Sequence, residues 1–109
     1  MMKGFTAVVT DPVGMHSRPA VVVVNAANCF QSQILIKYNG KQADVKSIMN
    51  LISLGIPTHV EIEVECVGED EELACETIRK TLIHEGIIEV AKDRISSAGI
   101  DTTFKKEIL

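Results

Sequence analysis

The part of the sequence that indicates the fold most directly is Gln33-Ile34-Leu35-Ile36-Lys37-Tyr38-Asn39-Gly40-Lys41-Gln42-Ala43-Asp44. Residues 33–38 are rich in side chains that favour a β-strand, and the dipeptide Asn39-Gly40 follows them directly. Because Asn and Gly both tolerate a positive φ, this dipeptide between two such segments is a strong signal for a tight hairpin. We therefore predict a strand over 33–38 and a short returning strand over 41–44.

Two further segments alternate between apolar and polar side chains, which is typical of strands with one buried face and one wet face. In 59–67 the alternation places Val60, Ile62, Val64 and Cys66 on one side and Glu61, Glu63 and Glu65 on the other. Residues 3–10 alternate in the same manner, and the turn-forming residues 11–14 follow them. These two segments bring the predicted sheet to four strands.

Two helices are predicted from their terminal residues and their apolar spacing. Ser47 suits the N-cap of a brief helix over 48–54, which Gly55 and Pro57 end. The acidic residues of 68–72 suit the positive end of a helix dipole. The stripe that continues this second helix to about residue 84 consists of Leu73, Ile78 and Leu82, with Ala74 and Cys75 nearby.

Residues 19–30 fit both a strand and a helix. Four consecutive valines, 21–24, favour a strand, because β-branched side chains lose rotamers in a helix. Pro19 suits a first helical turn, and one helical stripe collects Ala20, Val23, Val24, Ala27 and Phe30. The sequence favours the helix by a small margin. The predicted order is then strand, helix, strand, strand, helix, strand, helix, an α+β domain whose four-stranded sheet is covered by helices on one face.

Composition narrows the classes of function. The chain has 109 residues, of which 46% are hydrophobic and 24% charged, as expected for one globular domain. A net charge of -4 argues against direct nucleic-acid binding through a broad basic face. No apolar run approaches the ~18 residues of a spanning helix, and the N-terminal residues lack the pattern of a secretory signal. We expect no membrane insertion.

The three cysteines, Cys29, Cys66 and Cys75, form no CxxC pair. This spacing argues against a disulfide framework and against a zinc site. We predict that all three are small buried side chains in a reducing cytosol.

Residues 14–20, Gly-Met-His-Ser-Arg-Pro-Ala, carry the chemistry. His16 stands where a helix is expected to begin, and the first helical turn has unpaired N–H groups and partial positive charge that stabilise an anion. Arg18 adds a guanidinium suited to phosphate oxygens. Phosphoryl transfer needs mainly positioning and charge neutralisation, so the motif suits a histidine that takes up a phosphoryl group. By residue type alone, a polar cap residue at His16 and a solvated surface charge at Arg18 are slightly favoured, because His and Arg are common near a helix start.

The segment 14–20 resembles the active-site signature Gly-Leu-His-Ala-Arg-Pro-Ala of the HPr family, the phosphocarriers of the bacterial phosphoenolpyruvate-dependent sugar phosphotransferase system. A second segment, Lys-Ser-Ile-Met-Asn-Leu-Ile-Ser-Leu-Gly at 46–55, resembles Lys-Ser-Ile-Met-Gly-Val-Met-Ser-Leu-Gly of the same family. The resemblance implies an HPr-like open-faced sandwich over residues 1–88, with a four-stranded antiparallel sheet and three helices on one face. Residues 89–109 are then a C-terminal extension of unknown role, and 87–91 fit either a longer last helix or a further strand.

The resemblance also implies roles for individual residues. His16 matches the family histidine that Enzyme I phosphorylates on Nδ1 and that passes the group to sugar-specific IIA domains, and Arg18 matches the arginine that supports the phosphate. Ser17 replaces the usual alanine at the helix N-terminus and adds a hydroxyl near that phosphate. Such a protein is a cytoplasmic carrier rather than an enzyme, and it needs no cofactor or metal of its own.

A regulatory site and a docking surface follow from the same match. Ser47 matches the serine that an ATP-dependent HPr kinase/phosphorylase modifies in many Gram-positive relatives, where the product is a corepressor for a catabolite-control transcription regulator. The residues expected to surround His16 and to contact Enzyme I and the IIA domain are Val21, Ile48, Met49 and Ile52, called here the docking patch. Leu51 and Leu54 are assigned to the core.

Other functions remain open from the sequence. The second hypothesis is an HPr-like regulatory interaction protein that acts mainly through Ser47 phosphorylation and binding to a transcription regulator. Relatives of that kind typically lack the active histidine, so the presence of His16 favours the carrier. A nitrogen-regulatory relative differs only in its partners, and a small-molecule-binding module lacks a Gly-rich loop here. His59 and His84 are assigned no catalytic role.

Overall fold

The segments with alternating side chains form one antiparallel sheet in the computed structural model, which describes residues 2–90. The strands are β1 (Met2–Val9), β2 (Gln33–Tyr38), β3 (Lys41–Asp44), β4 (Glu61–Val67) and β5 (Ile88–Glu89), and the helices are α1 (Ser17–Ala27), α2 (Ile48–Ile52) and α3 (Glu71–His84). The sheet order is β3-β2-β4-β1-β5, with every neighbouring pair antiparallel. The helices bury their apolar stripes in one core with the inward side chains of the strands. The predicted α+β class is confirmed.

The sheet has five strands where four were predicted. The fifth, β5, pairs with the edge of β1 that β4 leaves open, in the register Val9↔Ile88. Gly86, at φ 73°, turns the chain back after α3, and the backbone amides of Thr10 and Asp11 donate to the carbonyl of Ile87. Because β5 covers an open strand edge and buries Ile88, residues after 86 add a strand rather than a longer helix.

The valine-rich segment is helical, as the small margin in the sequence favoured. Its buried side chains are Pro19, Ala20, Val23, Val24 and Ala27, which is the predicted stripe. Phe30 lies beyond the helix end and packs partly against the core. Burial of this stripe in the core that α1 shares with the strands and α3 outweighs the strand preference of the valines, since tertiary packing routinely overrides propensity.

The predicted stripe of α3 is partly wrong. Ala74, Ile78 and Leu82 are buried, but Leu73 is 63% exposed. Leu73 precedes Ile78 by five residues and so lies about 140° away from it around the helix axis. The inward stripe instead begins at Glu71 and continues at intervals of three, four and four residues through Ala74, Ile78 and Leu82. Glu71 is buried and accepts a hydrogen bond from the backbone amide of Gly68.

The cysteine prediction holds for Cys66, which is buried, and in part for Cys75, which is half-buried. It is wrong for Cys29, which is exposed because it follows the last turn of α1 at the surface. Burial raises the pKa of the Cys66 thiol to about 12, so this thiol is un-ionised at neutral pH.

Two other kinds of feature are absent from residues 2–90. In that range no cluster of His, Cys, Asp or Glu has the arrangement of a metal site, and no helix has the length and apolarity to cross a membrane. Of the predicted C-terminal extension, Glu89 belongs to β5, and residues 91–109 lie outside the described residues.

Candidate functional site

The connection from β1 to α1 is held tightly and sets the position of His16. The Gly14 amide donates to the Asp11 carbonyl at 3.0 Å, and the Met15 amide donates to the Ile56 carbonyl at 2.9 Å. Gly14 has φ 80°, and a Cβ atom there would lie 2.5 Å from the carbonyl oxygen of Ile56. Only glycine fits this close approach. Met15 is buried beside it, and this burial fixes the backbone position of the next residue, His16.

His16 is the N-cap residue of α1, with extended backbone angles and no capping hydrogen bond from its side chain. Its carbonyl accepts the first helical hydrogen bond, from the Ala20 amide at 3.0 Å. The side chain is 35% exposed, so the imidazole lies at the surface rather than in the core. The amides of Ser17 and Arg18 belong to the first turn, which has no intrahelical acceptors for its N–H groups, and they provide partial positive charge beside the imidazole.

A buried carboxylate, Asp11, contacts both chemically important side chains. Its Oδ1 atom lies 3.1 Å from His16 Nε2, and its Oδ2 atom accepts a hydrogen bond of 2.8 Å from Arg18 Nη2. The backbone amide of Val13 donates to Oδ1 at 3.0 Å and fixes the carboxylate in place. Asp11 therefore links the two residues that the motif predicts.

The charge state of Asp11 follows from these contacts. Burial raises the pKa of its carboxyl, but the hydrogen bonds from the Val13 amide, His16 and Arg18 together outweigh burial and hold the pKa below its usual value. Asp11 is consequently ionised at neutral pH and only accepts hydrogen bonds.

The contact of Asp11 with both His16 and Arg18 was not predicted from the sequence, which assigned Asp11 only to a turn. The one local signal was its contact with the amide two residues on, a common behaviour of Asp in turns that does not indicate a site. The structure brings His16 and Arg18 together as expected, but it directs both side chains to Asp11.

The remaining predicted site residues lie where the helices place them. Ser17 is the exposed first residue of α1, and every residue of the docking patch is exposed, with Met49 the most open at 78%. Leu51 is buried and Leu54 half-buried, as assigned. The docking patch has residues on both α1 and α2, and these two helices contact each other. Val13, also exposed, adds an apolar side chain in the loop just before His16, which the sequence did not single out.

Ser47 caps α2 as predicted. Its Oγ accepts a hydrogen bond of 3.2 Å from the Asn50 amide, and Asn50 Oδ1 in turn accepts one of 2.8 Å from the Asp44 amide. The Ser47 side chain is half-buried, and the next residue in the sequence is the exposed Ile48 of the docking patch. His84 is exposed in the last turn of α3, and the exposed His59 precedes β4 with φ 67°.

The lowered pKa of Asp11 makes the free energy of unfolding depend on pH. A carboxyl whose pKa is lower in the folded than in the unfolded chain stabilises the fold above its unfolded pKa, and this is lost as pH falls through the folded pKa. We expect Asp11→Asn to lower the free energy of unfolding at pH 7 by about 1–2 kcal/mol. The difference from the unmodified chain should shrink below about pH 4. Urea unfolding from pH 7 to pH 2 measures it.

The control for this series is Glu69→Gln, at an exposed residue in the turn before α3. Its unfolding free energy should follow that of the unmodified chain at every pH. Parallel curves for Asp11→Asn and the unmodified chain, with a constant difference down to pH 2, would contradict the assigned charge state of Asp11.

Several known proteins are similar to this chain over most of its length. The family model described as the PTS HPr component phosphorylation site matches residues 4–83, a range that includes His16 and Ser47. The phosphocarrier protein HPr of Mycoplasma capricolum is 41% identical over 88 residues, which cover 81% of this chain and 99% of that protein. The corresponding protein of Mycoplasma pneumoniae is 43% identical over 82 residues, covering 74% and 93%.

A solved phosphocarrier structure also resembles this chain. The histidine-containing phosphocarrier protein of Mycoplasma superposes with a TM-score of 0.78 at 40% identity, and the match covers 80% of this chain and 99% of that one. Nearly the whole length of that carrier is thus represented in this chain.

Proposed function

The chain belongs to the HPr family of phosphocarriers of the bacterial phosphotransferase system, and on that premise we propose that it accepts a phosphoryl group from Enzyme I on His16 and passes it to sugar-specific IIA domains. The observation that carries the proposal is the position of the His16 imidazole, partly exposed at the first turn of α1 with Arg18 beside it. A protein partner can reach a side chain in that position.

The surroundings of His16 suit an anionic group on the imidazole. The first turn of α1 supplies N–H groups without intrahelical acceptors and the positive end of the helix dipole. Arg18 is 54% exposed, and a guanidinium has further N–H donors beyond the one that Asp11 accepts. Together they neutralise the charge of a phosphoryl group, which is most of what such a transfer requires.

The docking patch suits a partner surface. Its side chains are apolar, they are exposed, and they lie on two helices that contact each other. A group of large apolar side chains exposed on one surface is typical of a site where another protein binds. We propose that Enzyme I and the IIA domain use this patch in turn, because both must approach the same imidazole.

Ser47 is proposed as a regulatory phosphorylation site. A phosphate at the N-cap of α2 is tolerated electrostatically by the helix, yet it adds nearly two negative charges beside the docking patch. The expected effect is weaker docking of acidic partners without unfolding. The proposed modifying enzyme is an HPr kinase/phosphorylase, and the proposed further partner of the modified chain is a catabolite-control transcription regulator.

The test of the carrier function is incubation with purified Enzyme I and labelled phosphoenolpyruvate, followed by addition of a IIA domain. We expect an acid-labile, base-stable label on the chain that then moves to the IIA domain. We also propose that the carrier acts in the cytoplasm. If Enzyme I leaves the chain unlabelled while HPr kinase and ATP label Ser47, the regulatory hypothesis replaces the carrier hypothesis.

A further inference from the structure

We propose that Asp11 is a positioning residue for the transfer: it fixes His16 in the tautomer with the proton on Nε2, and it holds Arg18 beside the imidazole until the phosphate arrives. This inference rests on the proposed function, because it concerns how His16 is prepared to act as the acceptor. It adds a residue that the signature motif does not contain.

The tautomer follows from the contact between Asp11 and His16. The carboxylate is ionised, so it has no proton to donate, and the 3.1 Å contact is a hydrogen bond only if His16 Nε2 carries the proton. In the neutral imidazole the other nitrogen, Nδ1, is then unprotonated and presents its lone pair. The Val13 amide and the burial of Asp11 keep the carboxylate from turning away.

This arrangement lets the transfer proceed without moving a proton. The Nδ1 lone pair forms the nitrogen–phosphorus bond while the bond between phosphorus and the donor atom breaks, and the donor keeps that electron pair. The imidazole gains a positive charge, and its Nε2–H group continues to donate to Asp11. A carboxylate in this place stabilises the cationic ring, as the aspartate of a serine protease triad does for its histidine. Onward transfer reverses the same changes.

The second oxygen of Asp11 performs a separate task. Oδ2 binds Arg18 Nη2 at 2.8 Å, so the guanidinium is already beside His16 before any phosphate is present. Because Arg18 is more than half exposed, this ion pair is weak and readily exchanged. A phosphoryl group with nearly two negative charges attracts the guanidinium more strongly than one carboxylate does, and Arg18 returns to Asp11 after the group leaves.

The experiment compares the chain with Asp11→Ala and Asp11→Asn. Nitrogen-15 NMR of the unphosphorylated, histidine-labelled chain, at a pH where the imidazole is neutral, reports which ring nitrogen carries the proton. We expect a single Nε2–H tautomer with a slowly exchanging ring proton. Asp11→Ala should give mixed tautomers and lose that signal, whereas the Asp11→Asn amide oxygen, held by Val13, should retain it.

Phosphorylation rates complete the comparison. Hydrogen-bond partners that orient a metal-ligating histidine are typically worth about 10- to 100-fold, and we expect a factor of the same order for a histidine that acts as a nucleophile. Asp11→Ala should therefore accept the phosphoryl group from Enzyme I slower by about that factor. Asp11→Asn should recover part of the rate, since it keeps the tautomer and lacks the charge. It is also nearly isosteric, so it remains informative if the alanine variant folds poorly.

The outcomes separate this inference from the carrier function. A proton on Nδ1 in the unmodified chain, or an unchanged ring spectrum in Asp11→Ala, would overturn the role of Asp11 whatever the rates show. If the predicted spectra are found but Enzyme I does not phosphorylate the chain, the proposed function fails while the tautomer assignment stands. If Enzyme I labels the unmodified chain but the His16 ring spectrum of Asp11→Ala is unchanged, the carrier function stands and only the inference about Asp11 is wrong.

Discussion

His16→Ala should reduce phosphoryl acceptance from Enzyme I to background, a fall of at least about 10³-fold, because the variant lacks the proposed nucleophile. The fold should hardly change. The His16 side chain is partly exposed and caps no helix amide, so we expect a loss of unfolding free energy within about 1 kcal/mol. Label incorporation from labelled phosphoenolpyruvate, with circular dichroism of the same sample, measures both quantities.

The matched control is His84→Ala. His84 is also an exposed histidine beside a helix end, but it lies in the last turn of α3, where the helix dipole disfavours an anion. This variant should be labelled like the unmodified chain. Normal labelling of His16→Ala, or loss of labelling in His84→Ala, would show that the phosphoryl acceptor has been wrongly assigned.

Gly14→Ala should cost about 3–5 kcal/mol of unfolding free energy, the largest stability effect that we expect from a single methyl group. The added Cβ would lie 2.5 Å from the carbonyl oxygen of Ile56 and 2.9 Å from backbone atoms of Pro57. The residue also has φ 80°, a conformation that L side chains adopt at a cost of about 1–2 kcal/mol. Since both obstacles are backbone, the loop itself must shift.

Gly40→Ala is the control that measures the conformational part of this cost without the steric part. Gly40 has almost the same φ, 78°, but no atom lies within 4 Å of the position of its Cβ. We expect this variant to lose only the conformational part, about 1 kcal/mol. Urea unfolding of both variants measures the difference, and equal losses would contradict the close approach between Gly14 and the Ile56 segment.

The loop that Gly14 closes also positions His16, the proposed phosphoryl acceptor. A shift there would disturb the Met15 to Ile56 hydrogen bond and the turn that holds Asp11, so the folded fraction of Gly14→Ala should also be phosphorylated more slowly. A folded variant with an unaltered rate would show that the position of His16 does not depend on this loop.

Local patterns predicted much of the fold. The Asn39-Gly40 hairpin has the predicted bounds, because two adjacent residues that tolerate positive φ determine such a turn. The Ser47 cap and the alternation in β4 depend equally on near neighbours in the chain. The sequence therefore sufficed where the deciding interactions lie within a few residues.

Features that depend on distant segments were uncertain or missed. The short strand β5 exists because β1 has an open edge, which residues 87–91 do not reveal. The valines of α1 became helical because a sheet and a second helix cover their stripe.

The same limit explains which site residues were found. His16 and Arg18 stand in a recognisable motif, whereas the role of Asp11 arises from the folding of its loop, which brings its two oxygens to both of them. A turn residue and a buried carboxylate look alike in the sequence, and only the tertiary structure distinguishes them.

The most direct measurement is phosphorus-31 and nitrogen-15 NMR of the labelled chain after incubation with Enzyme I and phosphoenolpyruvate. We predict that the phosphorus nucleus couples to Nδ1 of His16, while Nε2 keeps its proton. Coupling to Nε2, or a phosphate found on any other side chain, would contradict the central claim.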